Sequence, residues 1–378
     1  MKKRIWLSPP DMTGLELKYI NDAFESNWIA PVGPNINAFE KDIESFIGGN
    51  THAVALNSGT AAIHLALDLL DIQEGDEVLC QSKTFIASVN PVIYKGAIPV
   101  FIDSEKDSWN MCPDLLEEAI KNRIQVTGKT PKAIITVDLY GMPYNITRVH
   151  KIAKHYNIPI IEDSAEALGS KYNNQYCGTF GAFSIFSFNG NKIITTSGGG
   201  ALITRNPEHK ERTVFLATQA NEECTDYTHS TIGYNYRMSN IIAGIGRGQI
   251  TSIEEKISKR RANFEFYYKN LNKIPQIEFQ TENDKSYSNR WITCIKLNSK
   301  EDRNHIIKLL NDDNIETKHS WKPMHIQPVF REHISFTNGV SEDIYNKGVC
   351  LPSGSSLTQE DLTRIVSIIK TYFKNHVG

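Results

Sequence analysis

Residues 133–163 read AIITVDLYGMPYNITRVHKIAKHYNIPIIED, and this stretch decides the fold class. An apolar run of strand length at 133–140 is followed by a helical pattern at 147–156 and by a second apolar run at 159–163. Strands that alternate with helices predict a mostly parallel sheet with helices on both faces. In such a sheet, ligands bind beyond the carboxyl ends of the strands, so the residues just after each strand are the candidates for chemistry.

The same alternation extends over the first two thirds of the chain. Helical patterns lie at 60–70 and 114–123. Further apolar runs of strand length lie at 52–57, 77–82, 98–103, 183–188 and 200–204. We therefore expect a large α/β domain at residues 1–250, built on a seven-stranded, mostly parallel sheet.

The pattern changes after the last of these strands. A long amphipathic helix is predicted at 252–271 and a strand at 290–297, and helical patterns follow at 301–314 and 358–375. This arrangement predicts a smaller α+β domain at residues 251–378.

Composition excludes several functional classes. The 41 Lys and Arg residues nearly balance the 43 Asp and Glu residues, which removes the electrostatic footprint of a dedicated nucleic-acid binder. No apolar run approaches the roughly 18 residues of a membrane span, and no signal core follows the first basic residues. Six cysteines lie far apart, at 80, 112, 177, 224, 294 and 350. None forms a CxxC pair, so we expect free thiols, no metal site and a cytoplasmic location.

One lysine has an unusual sequence setting. Lys192 lies in SFNGNKIITTSGGG (187–200), nearly alone among uncharged residues, between an aromatic strand and three glycines. It could be a structural lysine on a tight turn. A lysine that is kept away from carboxylates and partly desolvated also loses its proton more easily, which makes its amine a usable nucleophile. The three glycines would let the backbone turn closely around a bound group.

A carboxylate follows the strand at 159–163. Asp163, in PIIEDSAEALGS, should lie at the carboxyl end of that strand, where it could cap whatever follows. Its alternative role is to face a cationic ring nitrogen. Pyridoxal phosphate (PLP) needs this arrangement, because a lysine holds it covalently and an acid at the ring nitrogen makes the ring an electron sink. Asp163 and Lys192 together therefore predict a PLP site.

Two further motifs would suit this cofactor. In LNSGTAAIHLAL (56–67), a strand ends and Gly59 and Thr60 open a helix, whose free N–H groups could bind a phosphate. An ordinary capped helix start has the same sequence signature. Phe85 follows another strand, and its ring could stack on a planar cofactor or pack in the core.

A series of motifs then occurs in one order along the chain: NSGTAA, TFIAS, GAIPVFID, IEDSAEALGS, GTFG, SFNGNK, TTSGGGAL, GYNYRMSN and WKPMHIQP. In these motifs the chain resembles the nucleotide-sugar aminotransferases of PLP fold type I, the DegT/DnrJ type, from SNWIAPVGP at 26–34 to CLPSG at 350–354. The motifs around Asp163 and Lys192 are especially similar to those of the bacillosamine-pathway enzymes. Those enzymes aminate C4 of UDP-2-acetamido-4-keto-2,4,6-trideoxyglucose, with glutamate as the amino donor.

The resemblance implies cofactor roles for the matching residues. Lys192 would bond to the cofactor and then move the proton between cofactor and substrate. Asp163 would bind the pyridine nitrogen, and Phe85 would stack on the ring. The phosphate would be held by Gly59, Thr60 and Ser187.

Two other positions carry implications of the resemblance. Asn235, in GYNYRM, would reach into the phosphate site of a neighbouring subunit, which implies a homodimer with shared active sites; otherwise it shapes a turn between Tyr234 and Tyr236. Glu166 occupies a position that is often Gln or His in the wider family, facing the phenolic oxygen of the cofactor. A carboxylate there would be repulsive unless a proton is shared.

Substrate contacts are implied at four positions. Asn27 and Trp28 lie in an N-terminal segment, 1–35, that resembles the mouth of the family's active site. Arg290 could pair with a diphosphate, because arginine suits bidentate phosphate recognition. His325 would come from the small domain and face the cleft. Each of the four could equally be a surface or packing residue.

The leading hypothesis is therefore a PLP-dependent transaminase that uses L-glutamate and a UDP-linked 4-keto sugar. A sibling enzyme acting on a GDP-4-keto-6-deoxymannose or a TDP-linked 3- or 4-keto sugar is the alternative. A sugar 3-dehydratase on the same fold is associated with histidine in place of the lysine, so Lys192 argues against it. Lys192 and Asp163 also argue against a non-catalytic binding protein.

Overall fold

The computed structural model describes residues 2–222 and 226–376. The strands are β1 His52–Leu56, β2 Glu77–Gln81, β3 Ile98–Ile102, β4 Ala133–Val137, β5 Ile160–Asp163, β6 Lys171–Tyr172, β7 Gln175–Tyr176, β8 Phe183–Ser187, β9 Gly200–Thr204, β10 Ile277–Phe279, β11 Ser286–Tyr287, β12 Thr293–Leu297, β13 Lys318–His319, β14 Ser335–Phe336 and β15 Gly348–Leu351. The α-helices are α1 Glu16–Glu25, α2 Pro34–Ile47, α3 Gly59–Leu69, α4 Asn90–Tyr94, α5 Pro113–Thr127, α6 Ile146–Tyr156, α7 Pro207–Ala217, α8 Asn240–Ile250, α9 Ile253–Leu271, α10 Lys300–Asp312, α11 Val340–Lys347 and α12 Gln359–His376. Short 3-10 helices lie at Ile86–Ser88, Leu139–Gly141 and Met324–Ile326.

The main sheet has the strand order β1-β9-β8-β5-β4-β2-β3-β14. Strand β9 is antiparallel to both of its neighbours, and the remaining neighbours are parallel. This architecture confirms the predicted α/β class. The sheet has eight strands rather than seven, because the two-residue strand β14 pairs with the outer edge of β3.

Successive residues of the central strands point to opposite faces of the main sheet, as the strand period requires. Cys80 of β2 is buried in one apolar cluster with Ile63 of α3, whereas Leu79 is buried in another with Leu116 of α5 and Val149 of α6. Both faces are therefore covered by helices, which explains why these strands read as continuous apolar runs.

Cap residues in the sequence determine where two of the helices around this sheet begin and end. The Ser58 side chain caps α3 by accepting a hydrogen bond from the backbone N–H of Ala61, and the Asn145 side chain caps α6 in the same way from Arg148. Helix α6 stops at Asn157, which takes a left-handed conformation that asparagine tolerates. The predicted helix at 147–156 is thus delimited by its own cap residues.

A second, four-stranded sheet has the order β10-β12-β15-β13 and is antiparallel throughout. Its apolar face packs against residues of α10 and α12. The predicted boundary at residue 250 lies between α8 and α9 and stays a prediction. The structure shows two crossings of that boundary: β14 joins the main sheet, and Ile5 forms a bridge with Ile315 and is buried in the core of the second sheet.

Two predictions from composition concern cysteines and membranes. Cys224 lies outside the described residues. The other cysteines are buried free thiols: Cys80, Cys112, Cys177, Cys294 and Cys350. Among the helices of the described ranges, none is both long enough and apolar enough to cross a bilayer.

Candidate active site

Lys192 lies in the loop between β8 and β9, with its side chain largely buried. Its Nζ atom donates a hydrogen bond of 3.2 Å to Oε1 of Glu166 and lies 4.2 Å from the centre of the Trp291 ring. The Trp291 indole in turn donates its N–H to the carbonyl of Asn191, at 2.7 Å, so the ring is attached to the loop that carries the lysine. The amine is thus held between a carboxylate and an aromatic face.

Asp163 is the last residue of β5 and is buried, as its position at the strand end predicted. Its carboxylate accepts hydrogen bonds from the Ser88 hydroxyl (2.6 Å) and from the backbone N–H of Ala165 (3.1 Å). Burial raises the pKa of Asp163, while these two bonds and the positive charge of Lys192 act in the opposite direction. A further cationic group at this carboxylate would therefore stabilise its ionised form.

Glu166 follows Asp163 by three residues, is buried and contacts the lysine amine. Its Oε2 accepts a hydrogen bond of 2.7 Å from the backbone N–H of Tyr140. Burial raises the pKa of Glu166 to about 7, against the lowering effect of the Lys192 charge. This carboxyl can consequently gain or lose a proton near neutral pH.

The amino end of α3 meets the carboxyl end of β8. A Cβ atom on Gly59 would lie 3.4 Å from the Cβ of Ser187, so these two residues are neighbours. Gly200 of β9 lies directly behind them, since a Cβ there would approach the Gly59 nitrogen to 2.4 Å. The first-turn N–H groups of a helix have no intrahelical acceptor, so Gly59, Thr60 and Ser187 form a ready site for an anion.

Phe85 lies between the strand end of β2 and the short helix that carries Ser88. Its side chain is 57% exposed, which is unusual for phenylalanine and excludes the core-packing alternative. Its ring lies 5.8 Å from that of Trp321, which lies 5.1 Å from Tyr140 and 6.0 Å from Trp291. We call Phe85, Tyr140, Trp291 and Trp321 the aromatic cluster.

These groups fit PLP. The lysine amine, the Asp163 carboxylate and the anion site at the start of α3 offer one partner each for the aldehyde, the ring nitrogen and the phosphate of the cofactor. Phe85 offers an exposed ring face, and Glu166 lies next to the amine.

Asn235 lies beside the anion site but is exposed. Its backbone carbonyl accepts a hydrogen bond from the Asn57 amide (3.2 Å), and the rings of Tyr234 and Tyr236 on either side are stacked 4.8 Å apart. Its side chain has no hydrogen-bond partner within the described part of this chain. The predicted contact with a second subunit is open to it and stays a prediction.

The N-terminal candidates are also on the surface. Asn27 follows α1 in a left-handed conformation, and Trp28 is 45% exposed. The Trp28 carbonyl accepts a hydrogen bond from the Asn240 amide at the start of α8 (2.9 Å), which fixes the backbone and leaves the indole free. The structure does not bring either side chain into contact with Lys192.

Arg290 and His325 are engaged elsewhere. The guanidinium of Arg290 is buried 3.6 Å from the Phe264 ring and 3.3 Å from Oε2 of Glu282. His325 uses Nδ1 in a hydrogen bond of 2.6 Å with the Ser82 hydroxyl, and its Nε2 lies 3.3 Å from Glu342. A diphosphate would have to compete with Glu282 for the arginine. Substrate contact by either residue stays a prediction.

Sequence reasoning missed Ser88, Tyr140, Trp291 and Trp321. Tyr140 follows β4 at the same edge of the sheet as Asp163, and the rule that ligand sites lie beyond strand carboxyl ends could have found it. Trp291 adjoins Arg290, and only the fold shows that the tryptophan, not the arginine, faces the lysine.

The fold is that of the PLP fold type I enzymes, and the site contains a buried lysine amine that could hold this cofactor. Residues 10–370 match the DegT/DnrJ/EryC1/StrS aminotransferase family, and the chain belongs to this family. It is an aminotransferase whose cofactor is PLP.

Relatives and solved structures support this assignment over the full length. The chain is 46% identical over 377 residues to EpsN of Bacillus subtilis (strain 168), which is named provisionally as a pyridoxal phosphate-dependent aminotransferase; the match covers 99% of this chain and 97% of EpsN. It is 37% identical to the GDP-perosamine synthase of Escherichia coli O157:H7, over 99% of this chain and 100% of that one. The PLP form of the sugar aminotransferase Spr1654 from Streptococcus pneumoniae superposes with a TM-score of 0.90 at 28% identity, covering 100% of both chains.

Proposed function

We propose that the protein transfers the amino group of L-glutamate to C4 of UDP-2-acetamido-4-keto-2,4,6-trideoxyglucose, for the synthesis of a bacillosamine-type glycan. The observation that carries transamination is the proximity of Lys192 to Asp163 at one edge of the sheet, where the lysine charge acts on the carboxyl group. The similarity of the motifs around these two residues to the bacillosamine-pathway enzymes supports the choice of sugar. A cytoplasmic location stays a prediction from the sequence.

Each residue of the site has a distinct task in this proposal. Bound PLP supplies a ring that withdraws electrons and carries the amino group from donor to acceptor. Lys192 holds and moves the proton at its Nζ atom, and Glu166 orients that atom from 3.2 Å. Asp163 keeps a positive charge at the ring nitrogen, and the start of α3 binds the phosphate. The Trp291 ring, which lies 4.2 Å from the lysine Nζ, shields the amine from water.

We also propose that the working form is a homodimer with shared active sites. Asn235 is exposed beside the anion site of its own chain, where it could contact a second subunit. Large apolar side chains are also exposed in the N-terminal segment 1–35, among them Leu17, Phe24 and Trp28. Exposed apolar groups in this number are typical of a surface that is covered in an oligomer.

A GDP-linked 4-keto-6-deoxymannose is the second candidate substrate. The observation that favours it is the 37% identity to the GDP-perosamine synthase of E. coli, whose name assigns it a GDP-linked product. Both candidates are 4-keto-6-deoxy sugars; they differ in the nucleotide and in the substituent and configuration at C2. A choice between them therefore needs a direct comparison of substrates.

The test is incubation of the purified holoenzyme with glutamate and a panel of UDP-, GDP- and TDP-linked keto sugars, followed by mass spectrometry. We expect an amino sugar from the UDP-linked 2-acetamido-4-keto substrate. Product from the GDP-linked sugar alone would establish the second candidate. An absence of amination across the panel would reject the proposed function.

Lys192→Ala is the control for the chemistry of the same assay. Because the variant lacks the amine, it should form no product and no borohydride-trapped cofactor adduct. The wild-type protein should give a stable adduct at residue 192 by peptide mass mapping. A persisting adduct in the variant would move the assignment to another lysine.

A further inference from the structure

A second lysine is buried near the active site and has no role in the proposed function. Lys83 lies two residues after β2, and its side chain is 0% exposed. Its Nζ atom donates hydrogen bonds to the Ser320 hydroxyl (3.2 Å) and to the Trp321 carbonyl (2.9 Å). Among the described residues, no carboxylate forms an ion pair with it. Burial lowers the pKa of Lys83 to about 8.

A buried amine whose hydrogen-bond acceptors are all neutral is destabilising, since no carboxylate in contact with it offsets the desolvation of the charged group; Asp103 acts on it only from a distance. A structural lysine is normally exposed or paired. Methionine or leucine would fill the same space without this cost. What the amine adds over such an apolar side chain is its two hydrogen bonds, to Ser320 and Trp321, and we therefore infer that these bonds have a function.

These bonds fasten a segment of the chain beyond residue 250 to the end of β2. The neighbouring Ser82 strengthens the same attachment, because its carbonyl accepts from the Met324 N–H (2.8 Å) and its hydroxyl bonds to His325. The backbone N–H of Trp321 donates to the Tyr140 hydroxyl (3.0 Å). We call residues 320–325 the clamp segment.

The clamp segment presents Trp321 to the site. Within the aromatic cluster, Tyr140 and Trp291 are fully buried, whereas Phe85 is exposed and Trp321 is half-buried. Phe85 and Trp321 are thus the two rings whose faces a ligand can meet. The assignment of Phe85 to the cofactor leaves Trp321 for the substrate.

We propose that Lys83 is a positioning residue for substrate selection, which holds the Trp321 indole where it packs against the sugar ring of the nucleotide sugar. A 6-deoxy sugar has an apolar edge at C5 and C6, and an aromatic ring face suits such an edge. Glutamate is small, carries two carboxylates and an ammonium group, and has no comparable apolar surface. The inference rests on the proposed function and extends it. Transamination has two half-reactions: glutamate gives its amino group to the cofactor, and the cofactor then gives it to the keto sugar. Lys83 and Trp321 would act only in the second.

The test compares the two half-reactions in Lys83→Met, which keeps the volume and removes the donors. We expect the KM for the keto sugar to rise about tenfold, the size of effect that the loss of buried hydrogen bonds gives. The conversion of the bound cofactor to its amine form by glutamate, followed by absorbance, should stay within about twofold of wild type. An equal loss in both half-reactions would overturn the proposal.

A double-mutant cycle shows whether Lys83 acts through Trp321. Trp321→Ala should raise the KM for the keto sugar at least as much as Lys83→Met, and the double variant should be no worse than Trp321→Ala alone. Additive effects would show that the two residues act separately. If Trp321→Ala keeps the wild-type KM, the proposal is wrong whether or not Lys83→Met folds.

Direct binding gives a readout that does not depend on turnover. Calorimetry should show that Lys83→Met binds the amino sugar product of the panel assay more weakly but binds the matching free nucleotide, UDP or GDP, as wild type does. Weaker binding of the free nucleotide would indicate a general disturbance of the pocket. A wild-type protein that aminates no sugar would reject the proposed function, whereas an active wild type with an unaltered Lys83→Met would reject only this inference.

Lys256→Met is the matched control. Lys256 is also buried, donates to the Asp11 carbonyl and to the Gln249 side chain (2.8 Å), and has its pKa lowered by burial to about 8. It does not contact the aromatic cluster. We expect Lys256→Met to lower the thermal midpoint. It should not raise the KM for the sugar selectively, that is, without a matching loss in the reaction with glutamate. A selective rise in that KM here would show that any buried lysine gives the effect.

Discussion

Glu166 is the residue whose interpretation changes most between the sequence and the structure. A permanently charged carboxylate next to a phenolic oxygen would be repulsive, which was the difficulty that the sequence raised. Burial raises the pKa of Glu166 to about 7, so a shared proton is available near neutral pH. The hydrogen bond from Tyr140 fixes one oxygen and leaves the other for the lysine amine.

The raised value predicts a pH dependence of stability in the cofactor-free protein. The folded state holds the proton of Glu166 more tightly than the unfolded chain, in which the carboxyl titrates near 4.5. Its contribution is therefore full below about pH 4.5 and is lost as the pH rises through about 7. The difference in thermal midpoint between wild type and Glu166→Gln should therefore decrease as the pH rises from about 4.5 to about 7.

Lys192→Ala sharpens this measurement. The charge of Lys192 lowers the pKa of Glu166, so its removal should move the fall in stability to higher pH. A difference between wild type and Glu166→Gln that is constant from about pH 5 to about pH 8 would contradict the assignment.

Residues at strand ends were predictable, and residues that depend on their neighbours were not. Asp163 and Ser187 lie at the ends of β5 and β8 because the apolar runs that precede them define those strands. Arg290 has the same local sequence whether it faces a cleft or an acidic partner, and only the fold reveals Glu282. The same holds for His325 and its bond to Ser82.

At the scale of elements, the start of α3 depends on how closely β9 lies behind it. A Cβ on Gly200 would come within 2.4 Å of the Gly59 nitrogen and of the Ser58 carbonyl carbon, and neither backbone atom can swing away. Gly198 of the same glycine run has open space around it. Glycine is therefore required at position 200 and not at position 198, although the sequence shows the same residue at both.

Gly200→Ala should consequently displace the start of α3 and weaken cofactor binding by about tenfold or more, because phosphate contacts depend on helix position. Titration of the cofactor-free protein with PLP, followed by absorbance, gives the Kd. Gly198→Ala is the control and should bind within about twofold of wild type. Equal Kd values in the two variants would show that α3 tolerates the added methyl group.

The strands of the main sheet were predictable as apolar runs, and β14 was not. Two residues carry no periodic signal, and Ser335–Phe336 is a strand only because β3 leaves an unpaired edge beside it. The bridge of Ile5 to Ile315 is of the same kind. Both are set by tertiary contacts across the predicted domain boundary.

For the whole molecule, the proposed shared site predicts complementation. Lys192→Ala chains and Asn235→Ala chains are each expected to be nearly inactive, because one lacks the amine and the other the contact to its neighbour. Co-expressed with two different tags, they should form hybrids in which one of the two sites is intact, with about half of the wild-type rate per dimer. Hybrids without activity would contradict the shared site, provided that Asn235→Ala alone is impaired.

The small strand β14 also has a consequence for biosynthesis. The outer edge of β3 is complete when about the first hundred residues have been made, yet its partner leaves the ribosome more than two hundred residues later. Throughout that interval the nascent chain carries an open strand edge, the kind of surface that promotes aggregation. A fragment ending at residue 250 would keep this edge open permanently, so the two halves of the chain should be obtained more readily together than apart.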